Sequence, residues 1–365
     1  MINIDRLFMK KNIMGLSLFS SAGIGEYFLS RVGIDIIVAN ELIKKRADLY
    51  QKIYPNHKMV IGDIRDQRIF NKVLNIALTN QVDFLIASPP CQGMSVAGKN
   101  RDVSNMANDN RNYLIMYVIA MIKKLKPAYI LIENVPFLLK LELYIDNKLT
   151  PIKNILEDEF GSEYHIHFDI LDAADYGTPQ RRKRAIIRLN KKGTIWNLPL
   201  KQNIVSVEQA IGNLPSIESG KHSGLKWHYG RGHTEQQIEW MKHTPTGKSA
   251  FENLVHYPRK ANGEKVKGYH SSYRRIRWDE PAPTITIRND AISSQRNVHP
   301  GRPLLDGTYS DARVLSVLEL MRLTGLPDNW EIPDDTPEIL IRQIIGECIP
   351  PLLIENITRE IFNEN

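Results

Sequence analysis

The run Val82-Asp83-Phe84-Leu85-Ile86-Ala87, ended by Ser88-Pro89-Pro90-Cys91, constrains the fold more than any other stretch of the chain. A short and almost wholly apolar segment reads as a strand covered on both faces, the pattern of a parallel sheet layered between helices. The two prolines remove ladder donors and stiffen the backbone, so the strand stops and a cysteine follows at its carboxyl end. In an open α/β sheet, ligands and chemistry collect at that edge. With only Cys91 and Cys348 among 365 residues, no disulfide framework is available. Taken alone, Cys91 divides evenly between a small buried hydrophobe and a reactive thiol.

Other runs repeat the strand pattern. Ile13 to Phe19 reads as a first strand, followed by Ser20-Ser21-Ala22-Gly23-Ile24-Gly25-Glu26 and a helical stretch to Arg31. Small residues there let a ligand approach the backbone and a helix N-terminus. A second strand, Ile34 to Ala39, ends in Asn40-Glu41, and an acidic residue roughly 20 positions after such a turn suits ribose hydroxyls. A third, Met59 to Ile61, ends in Gly62-Asp63-Ile64, which offers a carboxylate to an exocyclic amine and a branched chain to a flat ring. Singly, Glu41 and Asp63 read equally well as solvated loop charges. Together the three strand ends describe a pocket for an adenosine-bearing cofactor. Gly93 to Asn110 lacks periodicity, and loops of that length within a compact domain are usually functional. Arg111 to Leu125 has helical spacing. The strand Ala128 to Ile132 then delivers Glu133-Asn134-Val135-Pro136 to the same sheet edge as Cys91. Further strands are expected over Glu163–Ile170 and Ala185–Leu189. The basic run Arg181-Arg182-Lys183-Arg184 before the second reads by itself as a solvated face or a phosphate patch.

From Lys191 to Pro300 the texture changes: 17 Lys or Arg stand against 9 Asp or Glu, enough to carry the whole net charge of +7. Aromatics such as Trp227, Tyr229, Trp240, Tyr257 and Trp278 are interleaved with these charges, a mixture suited to phosphates and bases. Seven of the ten histidines fall here, none in a zinc-ligand pattern with cysteine, so no metal is expected. Helical spacing returns over Val314–Leu323, and Arg342 to Pro351 reads as a turn feeding a last helix. No run approaches the roughly 18 apolar residues of a membrane helix. The apolar stretch after Lys10-Lys11 is interrupted by Gly15, Ser17, Ser20 and Gly23, unlike a secretory signal, so a cytoplasmic protein is expected.

In order, and over most of its length, the chain resembles the cytosine-C5 methyltransferase family. Ser88-Pro89-Pro90-Cys91-Gln92-Gly93-Met94-Ser95 is similar to the family's nucleophile motif and Glu133-Asn134-Val135 to its acid motif. Gln180, Arg182 and Arg184 match its Gln-x-Arg-x-Arg. Phe19 to Gly25 resembles the S-adenosylmethionine loop, and Asp109-x-Arg111-x-x-Leu114 the motif after the catalytic loop. Arg277 through Pro281-Ala282-Pro283-Thr284 resembles the segment bracing the recognition region, and Arg342-Gln343-Ile344-Ile345-Gly346 the closing motif.

The resemblance implies an α/β fold: a Rossmann-like S-adenosylmethionine-dependent methyltransferase sheet over residues 12–192 and 301–365, with a smaller target-recognition domain over 193–300. It implies transfer of a methyl group from S-adenosyl-L-methionine to carbon 5 of a cytosine flipped out of double-stranded DNA. Such an enzyme would act as a monomer, with a cognate restriction endonuclease as its functional partner. Cys91 would be the nucleophile and Glu133 the acid at ring nitrogen 3. Arg184 would bind the base carbonyl, Arg182 would orient the site, and Gln92, Ser95 and Gln180 would contact substrate. Phe19, Ser20, Ala22, Gly23, Ile24, Gly25, Glu41, Asp63, Ile64, Pro90 and Leu114 would hold the cofactor.

Two positions depart from the family pattern. Ser21 and Ile24 stand where its Phe-x-Gly-x-Gly-Gly loop has glycines, and Glu347 stands where the closing motif has asparagine. That extra carboxylate either meets the cofactor's amino group or faces solvent. Three rival readings fit less well. A thiol hydrolase wants a positioned histidine near Cys91, and His57, His165 and His167 sit in no telling motif. A non-catalytic DNA-binding protein leaves Cys91 and Glu133 idle. Relatives acting on transfer RNA carry Cys-Phe-Thr in the recognition region, where this chain has no cysteine.

Overall fold

Seven strands line up in the order β3-β2-β1-β4-β5-β9-β8 in the computed structural model, which describes residues 12–90, 109–260, 262–266 and 268–363. They are β1 (Ile13–Leu18), β2 (Ile34–Glu41), β3 (Lys58–Ile61), β4 (Phe84–Ala87), β5 (Tyr129–Asn134), β8 (Tyr164–Asp172) and β9 (Lys183–Lys191). Pairings from β3 through β5 are parallel, and β9 runs antiparallel to β5. This is the Rossmann-like α/β sheet expected from the sequence. Helices α1 (Lys44–Ile53), α2 (Gln67–Thr79), α3 (Leu114–Leu125) and α4 (Ile152–Phe160) accompany it. All four residues of β4 are buried, which is why that strand reads as a continuous apolar run rather than an alternating one. A hairpin of β6 (Glu142–Ile145) and β7 (Lys148–Pro151) occupies the stretch that shows no regular pattern in the sequence.

Local chemistry fixes the element ends. Asp66 caps α2 by accepting from Arg68 N at 2.9 Å. Asp83, the acidic residue before β4, accepts from Ala128 N at 2.6 Å and so ties the starts of β4 and β5 together. The sheet belongs to a unit made of Met1–Leu171, Lys183–Leu200 and Ile354–Asn365. The C-terminal residues return to it, with Trp196 Nε1 donating to Ile357 O at 2.8 Å.

A second unit comprises Asp172–Arg182 and Lys201–Leu353. Among its described residues are helices α5 (Val207–Ile211), α6 (Glu235–Lys242), α7 (Val317–Thr324) and α8 (Glu338–Glu347). The last helix, α9 (Pro351–Arg359), begins here. Isolated bridges replace continuous ladders. A small apolar cluster holds Trp240, Met241, Ala250, Ile292, Val298, Ala312 and Val314. Beside this modest core, buried charges do much of the tying. Arg313 pairs with Asp311 and Glu319 at 2.8 Å each and donates to Ile217 O at 2.7 Å, as a fully buried guanidinium must. No helix among the described residues is long and apolar enough to cross a membrane.

Candidate active site

The edge formed by the carboxyl ends of β4 and β5 is built from the strand stop read in the sequence. Pro89 and Pro90 have no N–H, so the ladder ends at Ala87 and the Pro89 carbonyl needs another partner. Asn134, at the end of β5 and 2% exposed, supplies it: Nδ2 donates to Pro89 O at 2.8 Å, and Oδ1 accepts from Val135 N at 2.8 Å. Ser88 extends the anchoring, donating its hydroxyl to Phe19 O at 3.2 Å. Cys91, Gln92 and Ser95 lie outside the described residues. The residue before Asn134 is Glu133, 6% exposed. Its carboxylate meets Arg184 Nε at 2.7 Å, because antiparallel β9 brings its first residues beside the last residues of β5. One sheet edge therefore carries the acid, the arginine and the pinned turn that leads into Cys91.

The other two members of the Gln-x-Arg-x-Arg motif are engaged differently. Gln180 is buried, with Oε1 accepting from Ile285 N at 3.1 Å and Nε2 donating to Leu323 O at 3.4 Å. Arg182 is likewise buried and donates to Ile285 O at 2.7 Å and Gly346 O at 3.1 Å. Around them, Ala282 N donates to Pro179 O at 2.9 Å, Arg181 N to Ala282 O at 2.8 Å, and Thr284 Oγ1 to Arg181 O at 2.8 Å. The segment from Pro281 thus braces residues 179–182 through single hydrogen bonds and one isolated bridge, and the closing motif completes the frame. A Cβ on Gly346 would lie 2.3 Å from Thr286 O, so only glycine permits that approach.

At the ends of β1, β2 and β3 the expected cofactor residues come together. Phe19 and Ser21 adopt left-handed backbone, with φ of 59° and 48°, which turns the loop back over β2. Ser20 N donates to Asn40 O at 3.1 Å. Glu41 is buried; Oε2 accepts from Ser21 N at 2.9 Å and Oε1 from Ile43 N at 2.7 Å. Each carboxylate oxygen keeps a second lone pair, the acceptor set that paired ribose hydroxyls require. Asp63 is held below the usual carboxylate range by its hydrogen bonds from Arg65, at 2.6 Å for the closest pair. It remains an anionic acceptor at the end of β3. The loop's own side chains turn inward: Ala22 and Ile24 are buried, while Gly25 is half-buried. A Cβ on Gly23 would strike Tyr54 at 2.4 Å and Tyr50 at 2.7 Å, so tyrosine packing explains this glycine. Ile64 is buried in the core cluster, whereas Pro90 and Leu114 are half-buried. Asp109 caps the turn before α3 and pairs with Arg111 at 2.6 Å. The acceptor set fits an adenosine-bearing cofactor.

Three constellations escape the sequence reading. The pinning role of Asn134 depends on a carbonyl 45 residues away. Beneath the cofactor loop, Glu26 is buried between the Ser17 hydroxyl and Tyr50 Oη, the latter 2.6 Å from its carboxylate and 2.9 Å from His57 Nδ1. Burial raises the Glu26 carboxyl to about 7, against the opposing hydrogen bonds of Ser17 and Tyr50. In the second unit, Glu239, His243 and His256 converge. The signal available for them is the four-residue spacing of the first two on a helix.

Residues 13–363 match the family of C-5 cytosine-specific DNA methylases. The chain is 27% identical over 352 residues to the Type II methyltransferase M1.HphI of Haemophilus parahaemolyticus, covering 96% of this chain and 87% of that protein. It is 28% identical over 360 residues to M.FnuDI of Fusobacterium nucleatum, a Type II methyltransferase, covering 95% and 93%. A prophage-encoded E. coli protein crystallised as a candidate DNA modification methyltransferase shares the fold with a TM-score of 0.69 at 20% identity, covering 96% of this chain and 99% of its own. The sheet, the strand-end acid and the match over nearly the whole length agree: the chain belongs to the C-5 cytosine-specific DNA methylase family, DNA cytosine-5-methyltransferases that use S-adenosyl-L-methionine.

Proposed function

We propose that Cys91 acts as the covalent nucleophile of a methyl transfer to carbon 5 of a cytosine flipped out of a specific DNA duplex. The enzyme is read as the modification partner of a restriction endonuclease, as the names of its relatives suggest. The observation that carries this reading is the edge at β4 and β5, where Asn134 pins Pro89 beside the Glu133–Arg184 pair. Carbon 5 of cytosine is a weak nucleophile. Bond formation between the Cys91 thiolate and carbon 6 makes the ring an enamine, whose carbon 5 can take up a methyl group. Glu133 serves nitrogen 3 as charge builds there, and Arg184 holds the carboxyl in place and faces the base carbonyl. Loss of the carbon 5 proton to solvent then expels the thiolate and restores the ring. S-adenosyl-L-methionine, when bound, supplies an electrophilic methyl; Glu41 and Asp63 are the acceptors for its ribose and adenine. The target must leave the stack to be reached. Residues 193–300, with their positive excess, are read as the target-recognition domain, and the enzyme as a cytoplasmic monomer.

Trapping on duplex DNA with 5-fluorocytosine at the target position tests the assignment, since fluorine cannot leave as the proton does. The adduct should survive denaturing electrophoresis, require the methyl donor, persist in Cys348→Ser and vanish in Cys91→Ser. Cys348 is buried, with its thiol on Ile345 O, as a bystander would be. An adduct undiminished in Cys91→Ser would overturn the reading.

A further inference from the structure

Glu239 lies on α6 and His243 caps its end, four residues apart and therefore on one helix face. Beyond the short helical turn Ala250–Glu252 the chain doubles back and brings His256 to the same place. His243 Nε2 is 3.1 Å and His256 Nδ1 3.2 Å from one carboxylate oxygen, Glu239 Oε1. The two imidazoles stack with centroids 3.7 Å apart and planes 12° from parallel. The three ligating atoms all lie within 4.8 Å of one another. Asn253 fixes the fold-back: its amide donates to Trp240 O at 3.1 Å, Thr244 Oγ1 at 3.0 Å and His256 O at 2.7 Å.

We propose that Glu239, His243 and His256 form a binding site for a zinc-class divalent cation. With metal–ligand bonds of about 2.0–2.1 Å, neighbouring ligand atoms around a tetrahedral ion stand roughly 3.4 Å apart. The two Glu–His separations are close to that value, and at least one imidazole must rotate out of the stack for both nitrogen lone pairs to meet one ion. Two imidazoles and one carboxylate form a donor set that zinc accepts, with a fourth position left for water. The side chains are 34%, 37% and 50% exposed for His243, His256 and Glu239, so an ion can enter from solvent. Bound there, it would tie the end of α6 to the following segment, which presents Leu254 at 94% and Val255 at 63% exposure. The site stands apart from the methyl-transfer chemistry and is independent of the assignment of Cys91.

The test uses full-length, untagged protein stripped of metal, titrated with Zn²⁺ by calorimetry and with Co²⁺ by visible absorption. One ion per chain is expected, with a tetrahedral Co²⁺ spectrum and a raised Tm. The double variant His243→Gln/His256→Gln should lose the spectrum and the Tm rise. Asn253→Ala, which removes no ligand, should weaken binding by about 10–100-fold, as supporting residues of metal sites do. Cys91→Ser should bind as the parent does. Wild-type affinity no greater than that of the double variant would overturn the proposal and leave two histidine–carboxylate contacts. So would binding that disappears in Cys91→Ser.

Discussion

Replacing Asn134 with alanine isolates the contact that pins the Pro89 carbonyl, two residues before Cys91 in the chain. The change removes the donor to Pro89 O and the acceptor for Val135 N, both at 2.8 Å and both near the buried end of β5. The bond to the buried Pro89 carbonyl contributes about 1 kcal/mol net, and that carbonyl left without a donor costs a further ~1–3 kcal/mol, whereas the N–H of half-buried Val135 can turn to water. Pro90 offers no N–H to compensate. A total of about 2–4 kcal/mol is therefore at stake, and it falls on a turn rather than on the core. If that energy is what holds the turn in its reactive geometry, kcat should fall roughly 30- to 900-fold. Asn134→Asp keeps the shape but sets an oxygen against the Pro89 carbonyl, so it should be at least as damaging. Methyl transfer from labelled cofactor to saturating duplex DNA gives kcat, and urea unfolding gives stability. DNA affinity should stay within about twofold, since the side chain is buried away from any phosphate. An alanine variant that unfolds more easily yet keeps wild-type kcat would refute the reasoning. Asn134 would then be a support for the sheet alone.

Two further outcomes follow from buried carboxyls. Glu26 titrates at about 7 in the folded chain, up from 4.5, so the native state holds the extra proton between those values and stability should fall as pH rises from about 4.5 to 7. The loss is on the order of 3 kcal/mol, and Glu26→Gln should flatten it in urea titrations between pH 5 and 8; an unchanged slope would count against the buried site. Glu319 behaves oppositely: burial opposes its charge, but Arg313 and His299 hold it down to about 2. Its contribution is present above 4.5 and lost as pH falls toward 2, so Glu319→Gln should weaken that acid dependence, read by tryptophan fluorescence. Four of the five tryptophans lie in the second unit, which makes the signal report on it.

The sheet was legible because its inner strands are largely buried on both faces. Phe84 to Ala87 reads as an apolar run for the same reason that β4 sits at the centre of the order, and Ile34 to Ala39, one strand in from the edge, is nearly as apolar. The strand-end positions of Glu41, Asp63 and Glu133 followed from those runs. What periodicity cannot express is a partner distant in sequence. Arg182 stands in, and Gln180 just before, a basic run that reads as a solvated or substrate-facing surface, yet their side chains meet backbone atoms of Ile285, Leu323 and Gly346. Gly23 reads as room for a ligand, whereas Tyr50 and Tyr54 occupy that room. The antiparallel entry of β9, which sets Arg184 against Glu133, is a property of topology and carries no local signal.

The two units hold their backbones by different means. In the first, sheet ladders fix the backbone, and the proposed chemistry rests on strand ends. In the second, ladders are sparse and buried guanidinium groups take their place. Arg275 donates to the carbonyls of Met241, His299 and Asp311, and Arg342 to those of Leu315 and Asn289. An arginine carries five donors in a rigid fork, so one side chain can satisfy several carbonyls that irregular backbone leaves unpaired. The frame is thereby held from within, by residues that are fully buried. Exposed side chains such as Leu254, Tyr269 and Leu305 contribute little to it. Substitution at those positions can alter what the surface contacts while the buried arginines keep the backbone where it is. An irregular lobe built this way is free to vary its surface in a manner that the sheet edge is not, because there the buried residues Glu133 and Asn134 are at once strand supports and parts of the proposed site.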